Sequence, residues 1–173
     1  AYIYLLQTLG PFWWQMKTEK AAGKQFASVN LDNYVYMEPY TKVWEDAWKS
    51  TLAVLLQVKK ELTERGVGFL VVDLTDSDGQ IDGTLERYLE ANSSGVKWDI
   101  AKPVKILDRF CAENGIGFLP LLYDFRREYD LRHEKFHFTK DGHWNKRGHE
   151  LAADIIYKKI QRDNIIDRPV MHR

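Results

Sequence analysis

Arg65-Gly66-Val67-Gly68-Phe69-Leu70-Val71-Val72-Asp73-Leu74 is the stretch on which the fold class turns. From Val67 to Leu74 the residues form an apolar run rather than an alternating one, the pattern of a strand covered on both faces of a parallel sheet. A central strand is expected there. Upstream, Thr41 can cap a helix in which Val43, Trp44, Ala47, Trp48, Thr51, Leu52, Leu55, Leu56, Val58 and Leu62 make a wide apolar face down to Arg65. Gly66 ends that helix as a C-terminal glycine cap.

Downstream the same order returns. Near Pro103 a helix opens, lined by Val104, Ile106, Leu107, Phe110 and Cys111 and closed by Asn114-Gly115. Ile116-Gly117-Phe118-Leu119-Pro120-Leu121-Leu122 follows as a second short apolar strand. Two helix-then-strand units with matching joints, Arg-Gly-Val-Gly-Phe-Leu and Asn-Gly-Ile-Gly-Phe-Leu, predict an α/β sheet with helices on both faces. Two buried strands cannot cover each other, and a doubly wound sheet usually has about five. The remainder is expected from a partner chain, from an unrecognised strand in Met16 to Tyr40, or from a preceding part of the same polypeptide.

The rest of the chain reads less sharply. Tyr2, Leu5, Leu6 and Leu9 recur at helical spacing until Gly10-Pro11, predicting a short amphipathic helix. Met16 to Tyr40 keeps no period and is read as irregular, with room for an extended piece at Tyr34 to Met37. A helix is expected over Leu85 to Ala91, a loop at Asn92-Ser93-Ser94-Gly95, a polar connection from Tyr123 to Lys140, and a last helix from about Asn145 to Ile160. This is one domain: a lead-in over 1–40, an α/β part over 41–160 and a tail over 161–173.

At 173 residues and 45% hydrophobic content one domain can bury a core. The 25 basic and 25 acidic residues cancel, which argues against nucleic acid as a partner. Cys111 is the only cysteine, excluding an internal disulfide or a thiolate zinc cluster and leaving the compartment open. The apolar start, Tyr2 to Trp14, is interrupted by Gln7, Thr8, Gly10 and Pro11 and is too short to span a bilayer. The first residue is Ala1 rather than methionine, which fits a fragment.

The segment that carries chemistry is Phe136-His137-Phe138-Thr139-Lys140-Asp141-Gly142-His143-Trp144-Asn145, running on to Gly148-His149. Loops beyond the carboxyl ends of strands are where α/β sheets build sites, and this loop follows the second strand. An aspartate two residues from a histidine, in a glycine turn, can hold the imidazole Nδ1 proton while Nε2 faces a nucleophile. Asp141 and His143 are therefore the candidate catalytic residues.

This block resembles the C-terminal block of the SGNH (GDSL-like) hydrolase superfamily, in the branch reading Asp-x-His-Trp-(Asn/Thr)-x-x-Gly-His that is related to O-acetyltransferase-like members. The likeness covers roughly Thr41 to Ile160. It implies a flavodoxin-like three-layer α/β/α fold with a parallel sheet, incomplete in this chain, and a Ser-His-Asp triad in which Asp141 orients and His143 is the base. It further implies an ester hydrolase or O-acyltransferase acting on acylated carbohydrate or small esters, without a cofactor, and a cell-envelope or extracytoplasmic setting. The family's Gly-Asp-Ser block and oxyanion donors are absent from the sequence. The missing strands and the missing serine are read as one absence, supplied by an N-terminal half or a second chain. Ser77 is not expected to replace that serine, because Asp76 and Asp78 flank it and disfavour its deprotonation.

Other readings stand beside this one. Asp141 could be a turn residue and His143 structural. His133, His137 and His143, with Asp141 and His149, offer an alternative metal set, although their spacing matches no zinc signature. Most tryptophans are expected in the core, Trp98 as an exposed contact, Trp144 as packing at the mouth of the last helix, and Asn145 as its cap. Arg126, Arg127 and Lys135 are read as solvated.

Overall fold

Two helix-then-strand units carry the architecture. In chain order, a 3-10 helix at Leu31–Tyr36 leads into β1 (Met37–Glu38), followed by α1 (Lys42–Glu64), β2 (Leu70–Asp73), α2 (Asp78–Ile81), α3 (Thr84–Asn92), β3 (Lys97–Trp98), α4 (Lys102–Glu113), β4 (Gly117–Pro120), α5 (Leu122–Arg132) and α6 (Lys146–Arg162). The computed structural model describes residues 29–165. The helix expected at Tyr2 to Leu9, with Trp13 and Trp14, lies outside them.

The chain is α/β, and β2 and β4 are parallel, as the joints predict. Leu70 pairs with Gly117, Val71 with Phe118, Val72 with Leu119 and Asp73 with Pro120. Both strands therefore end at the same edge, and Leu121 N extends the ladder by donating to Asp73 O at 3.2 Å. The helix stops are those expected: Gly66 and Gly115 sit at φ +67° and +60°, where a Cβ would be strained.

The expectation of a central strand buried on both faces does not hold among the described residues. The sheet there has two strands, all four residues of β2 are half-buried, and Val67 and Leu74 are 52% and 59% exposed. The pleat sends Leu70, Val72 and Leu119 to one side, where they join Ile81, Leu121, Phe125, Phe136 and Ala152 in a core closed by Leu151, Ile155 and Ile156 of α6. No residue of α1 is fully buried, despite its broad apolar face.

A second core lies around the short β1–β3 ladder, where Met37 pairs antiparallel with Trp98. It holds Val29, Leu31, Tyr34, Tyr36, Leu89 and Ile100, with Trp44 packed against it. Trp98 is in this core at 7% exposure, and its Nε1–H donates to Ser93 Oγ at 2.7 Å, so the exposed contact expected of it is corrected. Tyr34 to Tyr36 is 3-10 helix rather than extended, and only Met37 pairs as strand.

The polar connection expected from Tyr123 onward is a helix for most of its length. In α5, Leu122, Phe125 and Tyr129 recur at helical spacing on the inner side, while exposed Tyr123 and the charged Asp124, Arg126, Arg127 and Glu128 fill the positions between them. Arg126, read as solvated, donates from Nε and Nη2 to Gln80 O at 2.9 and 2.8 Å and ties α5 to α2. Among the described residues no helix is long and apolar enough to cross a membrane.

Candidate active site

Residues 136–145 fold back on themselves at the carboxyl end of the sheet. His137 and Trp144 form an antiparallel bridge, Phe138 N donates to His143 O at 2.8 Å, and Asn145 N donates to Phe136 O at 2.9 Å. This makes a narrow hairpin whose tip carries Thr139, Lys140, Asp141 and Gly142. Asn145 then caps α6, its Oδ1 accepting from Gly148 N at 3.0 Å while its Nδ2 donates to Lys135 O at 2.9 Å.

Two glycines make the close approaches. Gly142 adopts φ +71°, and a Cβ there would lie 2.6 Å from Asp76 O, so the tip rests directly on the loop after β2. At Gly148 a Cβ would lie 2.3 Å from Phe136 O, which brings the first turn of α6 against the hairpin.

Asp141 and His143 lie close together at the tip and exit of the hairpin. Asp141 Oδ1 lies 3.5 Å from His143 Nδ1 and also accepts from His143 N at 3.1 Å. Both side chains are open to solvent, at 58% and 82% exposure. Phe138, itself 56% exposed, lines a surface depression of about 360 Å³ with Thr139, Lys140 and Asp141. Among the described residues no serine is hydrogen-bonded to His143. Ser50 donates to Asp46 O, and the Ser93 hydroxyl is taken up by Leu89 O and Trp98. Ser77 lies at the start of α2, on the loop whose Asp76 carbonyl faces Gly142.

A second Asp–His pair lies on the inner side of the same hairpin, and sequence reasoning missed it. Asp78 Oδ1 accepts from Phe136 N at 2.9 Å, from His137 N at 3.2 Å and from the His137 Nδ1–H at 2.9 Å. His137 Nε2 lies 3.2 Å from both Thr75 Oγ1 and Thr75 O, and Thr75 Oγ1 accepts from Trp144 Nε1–H at 3.2 Å. Both ring nitrogens of His137, the Thr75 hydroxyl and the Trp144 indole N–H each have a partner, as burial demands. The side chain of His137 is 2% exposed and Thr75 is 5% exposed, so the arrangement is sealed from any reactant. It latches the hairpin to the loop after β2. The only local sign of it is the short polar turn Thr75 to Asp78; its partner stands 59 residues away.

The alternative metal set is dispersed. His133 terminates α5 in the left-handed region, exposed and edge-on to Tyr129, His137 is buried against Asp78, and His143 stands at the hairpin exit. Among the described residues no group of three or more His, Cys, Asp or Glu side chains is placed to hold a metal ion. Trp144 packs as expected, stacked on Phe125 at 5.5 Å, with His149 edge-on to it at 5.6 Å.

Asp73, the last residue of β2, is the titratable group most perturbed at this edge. Burial, reinforced by the charge of Asp76, raises its carboxyl to about 6. Because the folded-state value lies above the unfolded one, the folded protein binds more protons between about pH 4 and 6, and stability falls as pH rises through that window. Asp73→Asn is expected to remove this slope and to stabilise the protein at pH 7.5 by on the order of 1–2 kcal/mol. Urea unfolding at pH 5 and pH 7.5 measures both; a slope unchanged in the variant would show that Asp73 is not its source.

Comparison with known proteins adds no relative: no family model, curated protein or solved structure matches this chain.

Proposed function

We propose that this chain carries the acid and base of a Ser-His-Asp site of the SGNH type, in an ester hydrolase or O-acyltransferase acting on small or carbohydrate-borne esters. The observation that supports it is the Asp141-Gly142-His143 turn, held on an anchored hairpin at the carboxyl edge of two parallel strands, with Asp141 Oδ1 3.5 Å from His143 Nδ1 and the imidazole open to solvent. In this reading β2, β4 and their helices are part of a three-layer, flavodoxin-like sheet. The serine comes from outside the described residues.

The chemistry follows from that arrangement. His143 Nε2 takes the serine proton as the hydroxyl oxygen attacks the ester carbonyl, and returns it to the leaving alkoxide as the tetrahedral intermediate collapses. Water then releases the acyl group as acid, or a sugar hydroxyl accepts it, with His143 acting as base a second time. Asp141 keeps the proton on Nδ1 and stabilises the imidazolium that forms at each step. The depression beside exposed Phe138 offers the ester an apolar wall.

Hydrolysis of p-nitrophenyl acetate by the full-length gene product and by this chain alone tests the reading. The chain alone is expected to match the buffer rate. In the full-length product His143→Ala should abolish turnover, Asp141→Asn should lower kcat, and Ser77→Ala should leave it unchanged. Turnover that survives His143→Ala would refute the proposal and leave Asp141 as a turn residue; loss on Ser77→Ala would make Ser77 the nucleophile.

A further inference from the structure

Away from the hairpin, α4 and the β1–β3 ladder enclose a cleft of about 310 Å³, near the lower end of the range for small-ligand sites. From α4 it is lined by Lys102, Lys105, Ile106 and Arg109, which share one helix face, and from the ladder by Glu38, Lys97 and Asp99. Four cations thus meet two carboxylates, an excess of two positive charges. The chain as a whole is neutral, with 25 basic and 25 acidic residues, so this excess is local.

The cations are not equivalent. Lys102 is saturated: its side chain is only 13% exposed, its Nζ lies 2.7 Å from Glu38 Oε2, donates to Met37 O at 2.7 Å, and stands 3.4 Å above the Tyr40 ring. It anchors α4 to β1. Lys105 is paired with Asp99 at 2.7 Å, and Asp99 in turn accepts from Ala101 N, so one carboxylate holds both the helix start and the lysine. Lys97 and Arg109 form no ion pair among the described residues, and both are exposed to the cleft.

Two of the four cations in the cleft, Lys97 and Arg109, thus stand without a carboxylate partner among the described residues. The first turn of α4 contains no acidic residue and begins with Lys102, although the positive end of the helix dipole favours anions. An oxyanion between Lys97 and Arg109, within reach of Lys105, would pair the two cations that have no carboxylate, and the guanidinium fork of Arg109 suits two of its oxygens. Two uncompensated charges match a phosphomonoester, which carries about −1.5 to −2 at neutral pH, better than a single carboxylate.

We propose that the cleft between α4 and the β1–β3 ladder binds the phosphoryl group of a small phosphomonoester through Lys97 and Arg109, with Lys105 as the third cation. This proposal is independent of the ester chemistry at His143, and either can fail alone.

Calorimetric titration with inorganic phosphate, glycerol 1-phosphate and acetate tests it on the wild type, Lys97→Gln, Arg109→Gln and Arg127→Gln. Arg127, which pairs with Asp124 on α5, is the control for a generic surface cation. Saturable binding of one glycerol 1-phosphate per chain is expected, tighter than inorganic phosphate and at least tenfold tighter than acetate. Each cleft substitution should weaken it at least tenfold, while Arg127→Gln leaves it unchanged. Both cleft side chains are exposed, so matching far-UV circular dichroism is expected to show that these variants fold. Absence of saturable binding, retention of affinity in Arg109→Gln, equal loss in Arg127→Gln, or acetate binding as tightly as the phosphoester would each overturn the proposal.

Discussion

Asp78→Ala is expected to destabilise the protein by about 3–5 kcal/mol, in the range found when one partner of a buried charged network is removed. The side chain of Asp78 is 16% exposed, and its Oδ1 is the common acceptor for Phe136 N, His137 N and His137 Nδ1. Alanine would strand these donors in a sealed space, and no described carboxylate other than Asp78 bonds His137. Asp78→Asn keeps the acceptor oxygen and the volume, so its cost should be smaller, about 1–2 kcal/mol. Urea unfolding gives both values. Native-state hydrogen exchange should show the Phe136 and His137 amides opening faster, because their bonds are the ones lost. A cost for Asp78→Ala below about 1 kcal/mol would mean that water replaces the carboxylate and that the latch does not hold the hairpin.

Phe125→Ala should cost a similar amount, about 3–5 kcal/mol, by the usual combination of lost transfer energy and residual cavity. Phe125 is 0% exposed and meets Phe136 edge-on at 5.1 Å, Trp144 stacked at 5.5 Å and His137 at 6.4 Å. It is thus the floor on which both strands of the hairpin rest, and aromatic contacts add to its burial. Phe125→Leu, which leaves less empty volume, should lose about 1–2 kcal/mol. Thermal unfolding orders the two variants, and near-UV circular dichroism should report loss of the fixed Trp144 environment in the alanine variant. Equal stability of the two would show that the site collapses to fill the space.

Together these experiments probe what holds the backbone that carries the exposed Asp141 and His143. Asp141 and His143 have few contacts of their own, and neither could be oriented by packing at 58% and 82% exposure. Their placement is inherited from His137, Trp144 and Asn145 immediately beside them, which are tied to Thr75, Asp78 and α6. Side chains supported in this way can be exposed while the backbone that carries them stays fixed.

Part of this molecule is determined by the sequence alone, wherever neighbours along the chain are the cause. The extent of α1 and α4, the glycine stops at Gly66 and Gly115, the Asn145 cap of α6, the parallel order of two helix–strand units and the Asp141–His143 pair all follow from local periodicity, turn chemistry or a spacing of two residues. Tertiary structure alone decided the rest. It placed Trp98 in a core by pairing its strand with Met37, made a helix of Leu122–Arg132 around one buried phenylalanine, left β2 half-buried by giving it a single described neighbour, and sealed His137 rather than His143 against Asp78. The physical reason is burial: desolvation and satisfaction of a polar group depend on which distant segments close over it, and a linear pattern of residue types does not record that closure.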